Sequence, residues 1–396
     1  MRSLWPTSVF ARAAMLLFAV APAAAQQDVV VPQTALSTCP ALSVVSREEI
    51  PAGSLLGVSP DGRWLARLAH TTAGAEIFLR DRDAPSAAPN ANRMVTLESP
   101  PLPPGVAWRV HELRFAASGA LLVVRSLGAV YVISVAEAKL LHRVTFDQAK
   151  QTYPGRFALG GAAGAEVLAV AFWPAESALA DAATRAPVEI RLLDAASGRW
   201  LRSLLLPLNS SDAWSELALS PDASRLAVLL RATRWPGKAR LALYAADSAQ
   251  QLWQTKVSAE DLLFSADGSA LLVLGSELHW LSAANGKPQR KAEGDAGPVE
   301  FQRLRVNAEA NLAVGRFARY SRMRRALNLR DAQGTRLLLW RLDSGRAACD
   351  LTLAPALGAD VWPTARGEII ALEETFELRP PLRLLKSAQI VTYRVQ

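Results

Sequence analysis

One short pattern constrains this chain more than anything else in it. "SPDGRWLARL", Ser59 to Leu68, has partners at "LALSPDASRLAVLL" (Leu217 to Leu230) and "LLFSADGSALLVL" (Leu262 to Leu274). Weaker echoes stand at "LRFAASGALLVV" (Leu113 to Val124), "FALGGAAGAEVLAVAF" (Phe157 to Phe172), "LRVNAEANLAVG" (Leu304 to Gly315) and "VWPTARGEIIAL" (Val361 to Leu372). Each reads as strand, tight polar turn, strand. Pro presets φ at the second turn position, Asp or Ser caps the backbone, and Gly takes the positive φ that other residues resist. The flanking apolar runs are rich in Leu, Val and Ala and suit strands buried on both faces. A hairpin this short cannot cover its own faces, so it is repeated until neighbouring sheets pack on one another.

A second signal follows the hairpins, as in "IRLLDAASGRWLRSLLL", "LHWLSAANGKPQRK" and "LLLWRLDSGRAACDLTL". These are third and fourth strands joined by polar turns carrying Asp194, Gly198, Asn285, Gly286, Asp343 and Gly345. Unit centres at Asp61, Ser118, Ala163, Asp222, Asp267, Glu309 and Ala365 fall about 42 to 59 residues apart, a blade period. The fold class is therefore all-β, a seven-bladed β-propeller of four-stranded antiparallel blades. The last unit has room for only three strands, "VWPTA", "EIIALEE" and "QIVTYRVQ". "ALSVVSREEI", Ala41 to Ile50, is the expected fourth, closing the ring from the N-terminal side.

These units resemble the WD-repeat and YVTN-like propellers. "LLGVSPDGRWLARLAHTTAGAEIFLRD" is similar to a blade of the exported bacterial Tol-system propeller, although no unit carries the Gly-His and Trp-Asp pair of a standard WD repeat. The resemblance implies one propeller domain over 41–396 and no particular activity.

The chain opens "MRSLWPTSVFARAAMLLFAVAPAAAQQ", with Arg2 and Arg12, an apolar stretch and small residues up to Ala25. That order is the signature of a secretory signal peptide, expected over 1–25 and followed by a lead-in over 26–40. No later stretch approaches about 18 uninterrupted apolar residues, so no transmembrane anchor is expected after cleavage. The expected location is periplasmic or secreted. Hydrophobic residues make up 51% of the chain, with eleven Trp, enough for a packed interior. Net charge is +8, and removal of Arg2 and Arg12 lowers it by two. An excess this modest favours anionic partners weakly: an acidic protein or lipid head groups, and no nucleic acid.

Cys39 and Cys349 are the only cysteines. In an oxidising compartment an even pair invites a disulfide, and ring closure by 41–50 brings Cys39 near the last blades, where Cys349 sits in an outer strand. The alternative is two separate thiols.

In this strand order the turns inside the two hairpins of each blade share one face. The second-to-third and blade-to-blade connections share the other. The longer segments "AHTTAGAE" (Ala69 to Glu76), "WPAESALADAATRAP" (Trp173 to Pro187), "RATRWPGKAR" (Arg231 to Arg240) and "RFARYSRMRRALNLRDAQG" (Arg316 to Gly334) all fall on that second face. Insertions gathered on one face mark where a repeat protein meets a partner. The densest feature is Arg316, Arg319, Arg322, Arg324 and Arg325 around Phe317 and Tyr320. It either presents guanidinium groups to an anionic partner or is a solvated hairpin whose charges protect an edge. Trp173 and Trp235 either anchor a partner or cap the blade core.

His70, His111, His142 and His279 are scattered singly without ligand spacing, and no G-x-S-x-G elbow is present. No catalytic, cofactor-binding or metal residue is assigned, and no cofactor is expected. The leading expectation is a non-catalytic scaffold binding a protein of the periplasm or envelope through the insertion-rich face. The alternatives are a propeller subunit of an amine-dehydrogenase-like oxidoreductase and a propeller sugar-lactone hydrolase. A polar axial pocket with converging His, Glu or Arg would favour an enzyme.

Overall fold

The computed structural model describes residues 36, 39–71, 74–85, 91–100, 108–147, 152–174, 188–206, 212–232, 239–294, 301–320, 332–354, 356–379 and 382–396. The expected leader, 1–25, lies outside the described residues. Chain order begins with β1 (Leu42–Ile50), which joins no blade until the end. Blade 1 is β2 (Leu55–Val58), β3 (Trp64–His70), β4 (Gly74–Asp81) and β5 (Asn92–Glu98). Blade 2 is β6 (Val110–Phe115), β7 (Leu121–Ser126), β8 (Ala129–Ser134) and β9 (Lys139–Thr145). Blade 3 is β10 (Thr152–Gly160), β11 (Val167–Pro174), β12 (Val188–Asp194) and β13 (Trp200–Leu206). Blade 4 is β14 (Asp212–Leu219), β15 (Arg225–Ala232), β16 (Ala239–Ala245) and β17 (Gln251–Val257). Blade 5 is β18 (Asp261–Phe264), β19 (Ala270–Leu274), β20 (Leu278–Ser282) and β21 (Pro288–Lys291). Blade 6 is β22 (Phe301–Asn307), β23 (Leu312–Tyr320), β24 (Ala332–Arg341) and β25 (Ala347–Thr352). The seventh sheet runs β26 (Leu357–Pro363), β27 (Glu368–Arg379), β28 (Leu382–Val395) and then β1.

The seven sheets are all four-stranded, and their pairings are antiparallel. β1 pairs with β28 from Leu42↔Val395 to Ile50↔Ala388, which is the ring closure expected from 41–50. Buried clusters join adjacent blades, the first and second through Leu68, Ile77 and Leu79 against Phe115 and Tyr131. Leu56 and Leu65 of blade 1 pack with Trp362 and Ile370 of blade 7, so apolar burial continues across the closure. That contiguity is why no single hairpin needs to be stable alone.

The turn chemistry is as the spelling implies. Ser59 Oγ donates to Asp61 Oδ1 at 2.5 Å and accepts from the Trp64 amide at 2.8 Å, while Gly62 adopts φ +73°. Ser220 and Asp222 repeat this arrangement, as do Ser265 and Asp267. The paired serine donors hold the Asp222 and Asp267 carboxyls down at about 2.

Two connections differ from expectation. Strands β3 and β4 run to His70 and from Gly74, so "AHTTAGAE" is ladder on both sides of a short turn rather than an insertion. On the face of tight turns, the third and fourth strands of blade 1 end and begin at Asp81 and Asn92, further apart in sequence than in the other blades.

Candidate functional site: a charged belt on the axis

The innermost strand of each blade ends at the first turn, and register with the second strand fixes equivalent positions. Val58, Phe115, Leu159, Leu219, Phe264, Val306 and Pro363 are the equivalent residues at or next to the ends of the seven strands. Two residues earlier stand Leu56, Leu113, Phe157, Leu217, Leu262, Leu304 and Val361, all buried and all apolar. The residue just before each of these is Leu55 in blade 1, and thereafter Glu112, Arg156, Glu216, Asp261, Arg303 and Asp360. Strand alternation explains the change of character, because neighbouring residues face opposite sides of the pleat. Leu113, Leu304 and Leu262 of the apolar set belong to the buried clusters between blades, while Glu112, Glu216, Asp261 and Arg303 of the charged set line a cavity around the ring axis.

A cavity of about 170 Å³ is lined by first strands of six blades, which places it on that axis. Its charged lining is Glu112, Arg114, Glu216, Asp261, Arg303 and Arg305. Arg114 donates to Glu112 at 2.5 Å, and Arg125, opposite Glu112 across β6 and β7, donates to it at 3.3 Å. Glu216 lies 3.4 Å from Arg156 and 3.8 Å from Arg114, and its buried Oε1 has no hydrogen-bond partner. Asp261 accepts the amides of Leu262 at 2.8 Å and Leu304 at 2.7 Å. Arg305 pairs with both Asp360 oxygens, donates to Val361 O at 3.0 Å and stacks 4.0 Å above the Trp362 ring.

These contacts split the four carboxyls into two kinds. Burial pushes Glu112 up, but Arg114, Arg303, Arg125 and Arg156 outweigh it and hold the carboxyl well below the usual range. Asp360 is likewise held low, with Arg305 and Arg316 overriding burial. Burial, reinforced by Asp261 and Glu112, raises Glu216 to about 7. Burial also raises Asp261, against the opposing amide of Leu304 and the Arg303 charge. One belt therefore holds carboxylates fixed as anions beside a carboxyl that exchanges its proton near neutrality.

The residues singled out from sequence fall elsewhere or at the belt's margin. Arg316 lies in β23 opposite Arg303, and its Nε donates to Ala359 O at 2.8 Å. Arg319 and Tyr320 end β23, where only their backbone is described; Trp173 stands in β11 opposite Tyr153, again as backbone. Arg322, Arg324, Arg325 and Trp235 lie outside the described residues. Cys39 and Cys349 are bonded, with Cα atoms 6.0 Å apart. His142 Nε2 contacts Ala195 O at 2.8 Å, and His279 lies 3.2 Å from Glu277, so neither reaches the cavity lining. Among the described residues no group of three or more His, Cys, Asp or Glu could hold a metal ion.

The belt had a sequence signal: a charged residue directly before an apolar one, at a fixed distance ahead of each first turn. "EL", "RF", "EL", "DL", "RL" and "DV" occupy that place in blades 2 to 7. Reading the first strands as uniformly buried apolar runs passed over it.

No family model and no curated protein matches the sequence. Among solved structures the chain is similar to the Dos1 propeller, at 9% identity and TM-score 0.53 over 89% of this chain and 95% of that one. It is also similar to the Cps50 (Swd1) β-propeller domain of Myceliophteria thermophila, at 12% identity and TM-score 0.57 over 89% of this chain and 100% of that one. At such identities the likeness establishes the seven-bladed fold and nothing of activity. Neither is a Tol-system propeller or an amine dehydrogenase subunit, so those narrower resemblances gain no support from them.

Proposed function

We propose that this protein is an exported, non-catalytic scaffold that engages a protein partner through the face carrying the second-to-third and blade-to-blade connections. One observation carries the reading. The β27–β28 hairpin continues past both neighbouring strands: β26 stops at Leu357↔Thr375 and β1 at Ile50↔Ala388. Among the described residues the pairs from Glu377↔Leu384 to Arg379↔Leu382 form a two-stranded ribbon with no third strand beside it, on the same face as the strand ends Pro174, Ala232 and Tyr320. A two-stranded ribbon is marginally stable in water, so its persistence beyond the blade suits a contact element. Leu384 on it is 42% exposed. The leader-like residues up to Ala25 support export.

A photocrosslinking residue at Leu384 tests the contact, with Ala196 on the opposite face as comparison. A discrete adduct from position 384 and none from 196 is the expected outcome; equal labelling from both removes the reading. Export is checked separately by sequencing the mature amino terminus, expected at Gln26.

The polar axial cavity favours a second reading, an enzyme or an oxidoreductase subunit, because a carboxyl near neutrality suits proton transfer. Loss of a measured turnover in Glu216→Gln would move the assignment there.

A further inference from the structure

We propose that the axial cavity is a binding site for a small oxyanion, a carboxylate or phosphate compound, with Arg303 as its principal contact and Arg114 beside it. The inference goes beyond the protein-binding reading and does not rest on it.

The cavity's size admits such a ligand. Its volume, about 170 Å³, is close to that of an engineered cavity of roughly 150 Å³ known to take up benzene. Its lining excludes the apolar analogy, since charged groups from β6, β14, β18 and β22 face it. Polar cavities of this kind hold water or a polar ligand.

Arg303 supplies the specific argument. Arg114 and Arg125 are engaged by Glu112, Arg305 by Asp360, and Arg156 by Glu216. Arg303 lines the same cavity, yet among the described residues its guanidinium makes no hydrogen bond and no ion pair within 4.0 Å. Its charge feels Glu112, Asp360 and Asp261 only at a distance. A half-buried guanidinium with its donors unmet by protein is costly to keep, and its planar fork matches a carboxylate or phosphate bidentately.

The sign of the belt agrees. Arg114, Arg125, Arg156, Arg303, Arg305 and Arg316 outnumber Glu112, Glu216, Asp261 and Asp360. The excess grows when Glu216, facing Glu112 and Arg114 of β6, Arg156 of β10 and Asp261 of β18, takes up its proton near pH 7. Anion affinity should therefore rise as pH falls through neutrality.

Isothermal titration of the full chain at fixed ionic strength tests this, using benzoate, succinate and inorganic phosphate, with neutral succinamide as control. At least one anion should bind saturably at one site, and the contrast between the carboxylates and phosphate identifies the ligand class. Arg303→Gln should weaken that binding at least tenfold, whereas Arg336→Gln, an arginine paired with Asp350 on the outer strands, should leave it unchanged. Benzoate, ionised throughout, should bind several-fold more tightly at pH 6 than at pH 8. Leu263→Phe fills the cavity without altering charge and should abolish binding, which keeps the test decisive if Arg303→Gln fails to fold. No saturable binding by any anion, equal binding of succinamide, or wild-type affinity in both variants would overturn the assignment.

Discussion

Cys349 reaches Cys39 from the register position at which the preceding blades donate a hydrogen bond to the next blade. In blade 6 Cys349 pairs with Leu339. The matching pairs are Leu79↔Arg93, Val132↔His142, Leu192↔Arg202, Leu243↔Trp253 and Trp280↔Arg290. Each of those outer-strand residues meets a carbonyl in the third-to-fourth turn of the following blade: Ala136, Ala195, Ala246, Ala283 and Leu342. In blade 7 that turn is interrupted, because the third strand is β28 and the fourth is β1; Gln396 donates to Ala41 O at 2.9 Å across the gap. The disulfide occupies the place where a turn carbonyl would have been.

Its removal should be expensive. The bond spans 310 residues of sequence, and the loop-entropy model assigns such a closure roughly 5 to 6 kcal/mol. Reductant should lower the unfolding midpoint, and no thiol should titrate in denaturant without it. Two reactive thiols under those conditions would remove the bond from the account.

The register equivalence makes a sharper test. Cys39→Ser with Cys349→Arg should be more stable than Cys39→Ser with Cys349→Ser by about 1 kcal/mol, the worth of one restored hydrogen bond. Chemical denaturation of the two variants side by side decides it; equal midpoints would show that the position matters only as a cysteine.

Ala223 sits at φ +57° where the equivalent turns place Gly62 at +73° and Gly268 at +69°. A Cβ in this region costs about 1 to 2 kcal/mol, partly offset by the greater freedom glycine has when unfolded. Ala223→Gly should raise stability by up to about 1 kcal/mol. Gly62→Ala should lower it by more, since a Cβ there would approach the Thr364 side chain to 2.8 Å. A thermal midpoint for Ala223→Gly below wild type would contradict the assigned conformation.

Stability should fall as pH rises from about 4.5 to 7. Glu216 is raised in the folded protein to about 7, so between its unfolded and folded values the native state binds more protons than the unfolded one. That contribution is complete below the unfolded value and gone above the folded one. Glu112 and Asp360, held low, act in the opposite sense, and their support is lost in acid. Glu216→Gln should therefore flatten the slope between pH 5 and 7 and exceed wild type in stability at pH 8. A wild-type slope retained in the variant would place the titration elsewhere.

Much of the architecture was legible because turn spelling and blade period are local. Ser59-Pro60-Asp61-Gly62 and its copies state where hairpins bend, and a last unit one strand short states that the ring must borrow from the other end. That borrowing also brought Cys39 toward the blade that carries Cys349, which left a bridge and two separate thiols both open from the sequence. The belt was not read, although its residues were visible, because its meaning is collective: Glu112, Glu216, Asp261 and Arg303 are far apart in sequence and meet only when the ring curves them onto one axis. Arg316 shows the converse. It read as part of a loop cluster with Arg322 and Arg324, yet β23 carries it into register with Arg303, and the count of arginines nearby could not say where the strand would stop.

The borrowed strand also sets an order of events during folding. Blades 1 to 6 are each contiguous in the chain, so each can assemble from its own four strands. β1 precedes all of them and finds its neighbour only in β28, whose final paired residue is Val395. Until β28 is in place the first strand has a bare edge, and the ring locks only when segments from its two ends, Leu42 and Val395 among them, come together.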